Sequence, residues 1–247
     1  MARNIDRKEL KHPDQFLTFW TRVGAWIAAR RIQVIGGLAG LLVASVAIWG
    51  VSAYMTKKAA SNSLAFSRIE RIASAELLPE KGEPPKKDDG LPHFKTEGER
   101  VGAALKEVDG FLAAHGSSSL KEEALLLKAK YLLTLGKHSE ALAIYKDQLG
   151  GIDARLRFVA REGLGYAQEA AGQIDDAIAT FTALADESQQ APGAFYRDRA
   201  LFAKARLLQL KGNGKDAQKL LKEILEKAPK TPLKEEIAER LAALEDK

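Results

Sequence analysis

The sequence predicts an all-α protein, with one N-terminal transmembrane helix followed by an α-solenoid of short helical hairpins. Three observations predict it. The stretch IQVIGGLAGLLVASVAIWGVSAYM, Ile32 to Met55, runs 24 residues without a charged side chain in a chain that is 29% charged. From Lys95 onward, apolar residues recur at helical spacing and no alternating strand pattern occurs. That helical stretch also repeats itself, at intervals of 36 and then 40 residues.

The apolar stretch reads as a span, residues 32–55. At about 1.5 Å per residue its helix reaches roughly 36 Å, enough to cross a hydrocarbon core of about 30 Å with some tilt. A core helix of a soluble domain is shorter and carries a polar stripe, whereas the only strongly polar group here is Gln33, at the edge. Val51-Ser52-Ala53 offers the small residues a signal peptidase prefers, so cleavage after Ala53 is the alternative. Length opposes it, because a cleaved signal has about 7 to 15 apolar residues behind a short basic segment. Arg3, Arg7, Lys8, Lys11, Arg22, Arg30 and Arg31 precede the span, against Lys57, Lys58, Arg68 and Arg71 in the twenty residues after it. This bias puts the N-terminus in the cytoplasm and residues 56–247 outside the inner membrane, with a single pass between them.

The flanking segments follow from their patterns. In the leader, residues 1–31, Phe16, Phe19, Trp20, Val23, Trp26 and Ile27 share one helical face, as an amphipathic helix in the cytoplasmic interface would. Residues 56–78 continue as helix, with Leu64, Ile69 and Ile72 expected on one apolar face. Residues 79–94, PEKGEPPKKDDGLPHF, hold four prolines and a run of charges, and read as an extended, exposed linker. Residues 95–247 form the repeat domain, closed by a cap helix in TPLKEEIAERLAAL.

Composition excludes several function classes. The chain's net charge of +5 resides mostly in the leader, which is +4, and the part beyond it is close to neutral at +1, so no nucleic-acid-binding face is expected. There is no cysteine, hence no disulfide, thiolate metal site or thiol nucleophile. His12, His93, His115 and His138 lie on separate segments without metal-ligand spacing, and no phosphate loop, nucleophile elbow or zinc-protease helix occurs. No catalytic residue, cofactor, metal or small-molecule substrate is expected.

The repeats share a glycine, an alanine five residues on, and a large apolar residue four beyond that. These are Gly136, Ala141 and Tyr145; Gly172, Ala177 and Phe181; and Gly212, Ala217 and Leu221. The glycine ends a first helix, the alanine lets a second helix approach closely, and the large residue fills the space between them. Ala129, Gly165 and Ala205, twelve residues before the alanines, supply the small residue where the first helix is crossed. A split fourth unit pairs the helix before Pro79 with GAALKEVDGFLAAH, in which Ala104, Val108 and Phe111 echo the later pattern.

This pattern resembles the tetratricopeptide repeat, although only the third unit has the usual closing proline, Pro229, and none has the tryptophan near its start. The resemblance implies a concave groove lined by the first helix of each hairpin. Carried onto this chain, the groove takes Leu126, Lys130 and Leu133; Glu162, Tyr166 and Glu169; and Phe202, Arg206 and Gln209. In the span, Gly36, Gly40 and Ala44 form a small-residue face suited to packing against another membrane helix.

The leader motif DQFLTFW, the sequence WGVSAYMTKKAASNSLAFSRI across the span's end, and the repeats together resemble one family. It is the ancillary-subunit family of the bacterial SecYEG translocon, the YfgM-like tetratricopeptide proteins. The resemblance implies a bilayer anchor through residues 32–55 and protein partners: translocon subunits, exported chains or periplasmic chaperones. The residues read on their own support a membrane-tethered binding module. A scaffold for outer-membrane assembly or cell-wall and division machinery is the alternative.

Overall fold

The computed structural model describes residues 15–78, 92–189 and 194–245. The first fourteen residues of the leader and the proline-rich segment 79–91 lie outside the described residues. Ten α-helices and no named strand occur among the described residues, and the chain divides into two compact units, Met1–Ala59 and Ala60–Lys247.

The first unit contains α1 (Gln15–Ala29) and the start of α2 (Arg31–Ala73). Helical hydrogen bonding continues across the single residue between them, since the Arg30 N–H reaches the Trp26 carbonyl at 3.1 Å and the Val34 N–H reaches the Arg30 carbonyl at 3.0 Å. By length and composition α2 is a candidate membrane span, and residues 35–55 are exposed throughout.

The second unit holds the last turns of α2 and the helices α3 (Glu97–His115), α4 (Lys121–Thr134), α5 (His138–Leu149), α6 (Ala154–Ala170), α7 (Ile174–Glu187), α8 (Ala194–Leu210), α9 (Gly214–Lys227) and α10 (Lys234–Glu245). Each helix from α3 onward packs against the next, and α4 also meets α6 while α6 meets α8. Turns of a few residues between packed neighbours make those neighbours antiparallel.

Three of the turns share one construction. Gly136, Gly172 and Gly212 adopt φ of 75°, 76° and 84°, a left-handed conformation that costs a residue with a Cβ. The next N–H, of Lys137, Gln173 or Asn213, bonds back to the carbonyl of Leu132, Gln168 or Leu208 at 2.8 to 2.9 Å. The glycine N–H bonds to Leu133, Glu169 or Gln209 in the same way, which satisfies carbonyls the helix end would leave bare. Elsewhere side chains cap: the Thr96 hydroxyl accepts the Glu99 N–H at 3.2 Å, and the Asp153 carboxylate accepts the Arg155 N–H at 2.8 Å.

The core falls where the repeat pattern puts it. Ala141, Ala177 and Ala217 are fully buried, as are Ala129 and Ala205, and Tyr145, Phe181 and Leu221 fill the spaces they leave. At the N-terminal edge, Ile69 and Ile72 of α2 share a cluster with Val101, Ala104, Val108 and Phe111 of α3. The helix before Pro79 therefore belongs to the same packed unit as α3.

Two expectations are corrected here. Leu64 is 71% exposed, and the inward face of α2 runs instead through Asn62, Phe66, Ile69 and Ile72. Five helical residues separate Leu64 from Ile69, a rotation of about 140° that carries Leu64 off that face. The linker read as exposed over 79–94 is pinned at its end: the Leu78 N–H donates to the Phe94 carbonyl at 2.8 Å, Leu77 and Phe94 form an isolated bridge, and the Phe94 ring packs on the α2–α3 cluster.

Candidate functional site

The first helices α4, α6 and α8 carry the nine residues expected to line a groove, and the structure spends most of them on internal contacts. Leu126 is 6% exposed and belongs to the core with Ala129, Leu132 and Tyr145, so it is corrected to a packing residue. Leu133 is half-buried against the same cluster, and Lys130 is exposed.

On α6 and α8 the expected groove residues pair across helices. Glu162 is buried and accepts a hydrogen bond from Nε of Arg199 at 2.6 Å. Glu169, seven residues on, receives both arms of the Arg206 guanidinium, Nη1 at 2.5 Å, with Arg206 seven residues after Arg199. Two rungs spaced two helical turns apart thus join α6 to α8. The same construction reaches α10, where Arg240 donates to Gln209 Oε1 at 2.9 Å and lies over the Phe202 ring at 5.6 Å. These contacts make Glu162, Glu169, Phe202, Arg206 and Gln209 a seam that holds successive hairpins together, while Phe202 and Gln209 also line an open cleft with Glu236, Glu239 and Arg240.

Tyr166 stands between the rungs. Its ring meets Phe181 edge-on at 5.2 Å. Burial, and then the Glu162 charge, push its phenol above the ordinary tyrosine range, with Arg199 and Arg206 pulling the other way. It is a half-buried packing residue.

Apolar side chains are also exposed nearer the N-terminal ends of α6 and α8. Val159 on α6 and Phe195 on α8 are 38% and 48% exposed. Phe158 stacks on Tyr196 with centroids 5.5 Å apart, and Phe195 meets Tyr196 edge-on at 5.6 Å. Arg199, already bonded to Glu162, covers one face of Phe195 at 5.2 Å. An open cleft of about 690 Å³ lies beside the stack, lined by Arg155, Arg157, Phe158, Glu187 and Tyr196. Aromatic side chains held rigidly in this way are the usual anchors of protein contacts.

The cleft lies outside the expected groove register: none of its lining residues is among the nine groove positions. His115 was also missed as a structural residue: its Nδ1 lies 2.9 Å from Asn62 Oδ1, and its ring stacks on Phe111.

Gly36 and Gly40 have open space where a Cβ would stand, and Ala44 is exposed with them along α2. No grouping of side chains suited to a metal ion occurs among the described residues. No protein-family model matches the chain, and no curated protein matches it.

Proposed function

We propose that the chain is a membrane-tethered protein-binding module, its tetratricopeptide-like solenoid held in the periplasm by a single inner-membrane span and ancillary to the Sec translocon. The observation that carries the binding reading is the aromatic cleft, where Phe158 stacks on Tyr196 and the half-exposed Phe195 meets Tyr196 edge-on. A solenoid is supported by three turns of one construction and by the arginine rungs that continue from α8 to α10. Each hairpin contacts mainly its neighbours, as in repeat proteins. The span is supported by the length and apolarity of α2, and the orientation by the excess of basic residues before it.

Association with the translocon rests on the sequence resemblance of the leader and the span's end. Mild crosslinking in cells, purification through a C-terminal tag and mass spectrometry test it. Translocon subunits, newly exported chains or periplasmic chaperones are the expected captures. Cell-wall synthases or outer-membrane assembly factors in their place would replace this function with that of an envelope scaffold.

A further inference from the structure

Between Gln15 and Ile69 the chain has six basic side chains, Arg22, Arg30, Arg31, Lys57, Lys58 and Arg68, and no acidic one. Three of them cluster on and just after α1. Arg22 and Arg30 stand four residues before and four after Trp26, which places one cation a turn below and one a turn above the same indole. The Arg30 guanidinium lies over the Trp26 ring at 5.3 Å. Neither Arg22 nor Arg30 nor Arg31 forms an ion pair among the described residues.

The apolar face of α1 is uncovered as well. Phe19, Trp20 and Trp26 are each more than half exposed, and Ile27 is 42% exposed. With Val23 they occupy an arc of about 120° around the helix. Trp and Phe on such an arc suit the boundary between headgroups and acyl chains, where an indole keeps an apolar body and a polar N–H. Arginine suits phosphate because its planar fork presents paired N–H donors, and a guanidinium lying on an indole keeps its edge free to donate.

We infer that α1 is a binding site for anionic phospholipid headgroups, with Arg22 and Arg30 holding the phosphate on either side of Trp26 and the aromatic face set into the interface. The inference rests on reading α2 as a membrane span, since α2 begins at the residue after Arg30 and so fixes α1 at the membrane boundary. One-sided charge selects the lipid: with no carboxylate on α1 or in the following forty residues, the segment complements a negative leaflet and is indifferent to a zwitterionic one.

The test uses the full chain carrying Trp20→Phe and Trp49→Phe, which leaves Trp26 the sole tryptophan of three. The chain is reconstituted in vesicles of phosphatidylcholine alone or mixed with phosphatidylglycerol, and acrylamide quenching of Trp26 is measured. Quenching about twofold weaker in the anionic vesicles is expected, and Arg22→Gln with Arg30→Gln should erase the difference. Inorganic phosphate added to the neutral vesicles should not reproduce it. Equal quenching in both vesicles, a difference that survives the double substitution, or full reproduction by free phosphate would overturn the lipid site. Resistance to alkaline extraction from the neutral vesicles is read in parallel. Loss of the chain there would overturn the span itself, and with it this inference, whereas retention with equal quenching would overturn the lipid site alone.

Discussion

The ring of Tyr145 occupies the space that a side chain on Gly163 would need: its Cε1 and Cζ stand 2.3 Å from where a Cβ would be. Two residues along α6, on the opposite side of the helix, Phe181 stands 2.6 Å from the Cβ position of Gly165. One helix therefore admits an aromatic ring from the hairpin before it and another from its own partner, and glycine is what lets both approach.

Gly163→Ala should lower the stability of the unit from Ala60 by about 1 to 3 kcal/mol, because a ring on a packed helix must shift to make room. Gly110→Ala on α3 is the contrast. Nothing lies within 4 Å of its Cβ position, so alanine should add about 0.5 to 1 kcal/mol through helix propensity. Urea midpoints check both signs.

Ala177 is fully buried four residues before Phe181, where α7 meets its neighbours. Ala177→Phe should cost at least as much as Gly163→Ala, on the order of 1 to 3 kcal/mol, and lower the thermal midpoint. An unchanged midpoint would mean that the repeat register is misread.

The seam between α6 and α8 is measurable by a double-mutant cycle on Glu169→Gln and Arg206→Gln. The pair is bidentate, with side chains 19% and 34% exposed, so its coupling should exceed that of an open surface pair and reach about 1 to 2 kcal/mol. Exposed pairs give less than about 1 kcal/mol. A coupling near zero would remove Arg206 from the seam and return it to the groove.

Stability should also fall at alkaline pH through Tyr145. Burial, and then the Glu162 charge, push its phenol up to about 12 from the ordinary value of 10.0. The folded state thus holds a proton that the unfolded chain releases first, so this stabilisation is present below pH 10.0 and is lost as pH rises toward about 12. The loss is on the order of 1 to 3 kcal/mol, and Tyr145→Phe should flatten it in unfolding curves taken across that window.

The helices, their turns and the buried alanines were legible because each rests on a local rule. A glycine in the left-handed region ends a helix wherever it occurs, and a small residue opposite a large one marks a crossing, so Gly136 to Tyr145 could be read without the fold. The seam was not legible. Glu162 and Arg199 are 37 residues apart, and only packing of α6 on α8 turns two isolated charges into a bond. Residues that look receptive one helix at a time, such as Tyr166 and Arg206, become structural once the neighbouring helix arrives. Replacing them together with Lys130 should therefore lower the melting temperature, which their role as a free surface would have left unchanged.

Capture of protein partners at the aromatic cleft is open to direct test with a photoreactive phenylalanine analogue at Phe195 in the full chain, since the Phe195 ring meets the cleft-lining Tyr196 edge-on. Phe195 is half-exposed and the analogue keeps its ring, so the fold is preserved. The same analogue at Lys146, exposed on α5, is the comparison. Irradiated cells should give adducts from position 195, with translocon subunits or newly exported chains in them by mass spectrometry, and few from position 146. Equal or absent adducts at the two positions would contradict capture at the cleft, and adducts confined to cell-wall synthases or outer-membrane assembly factors would contradict the translocon reading.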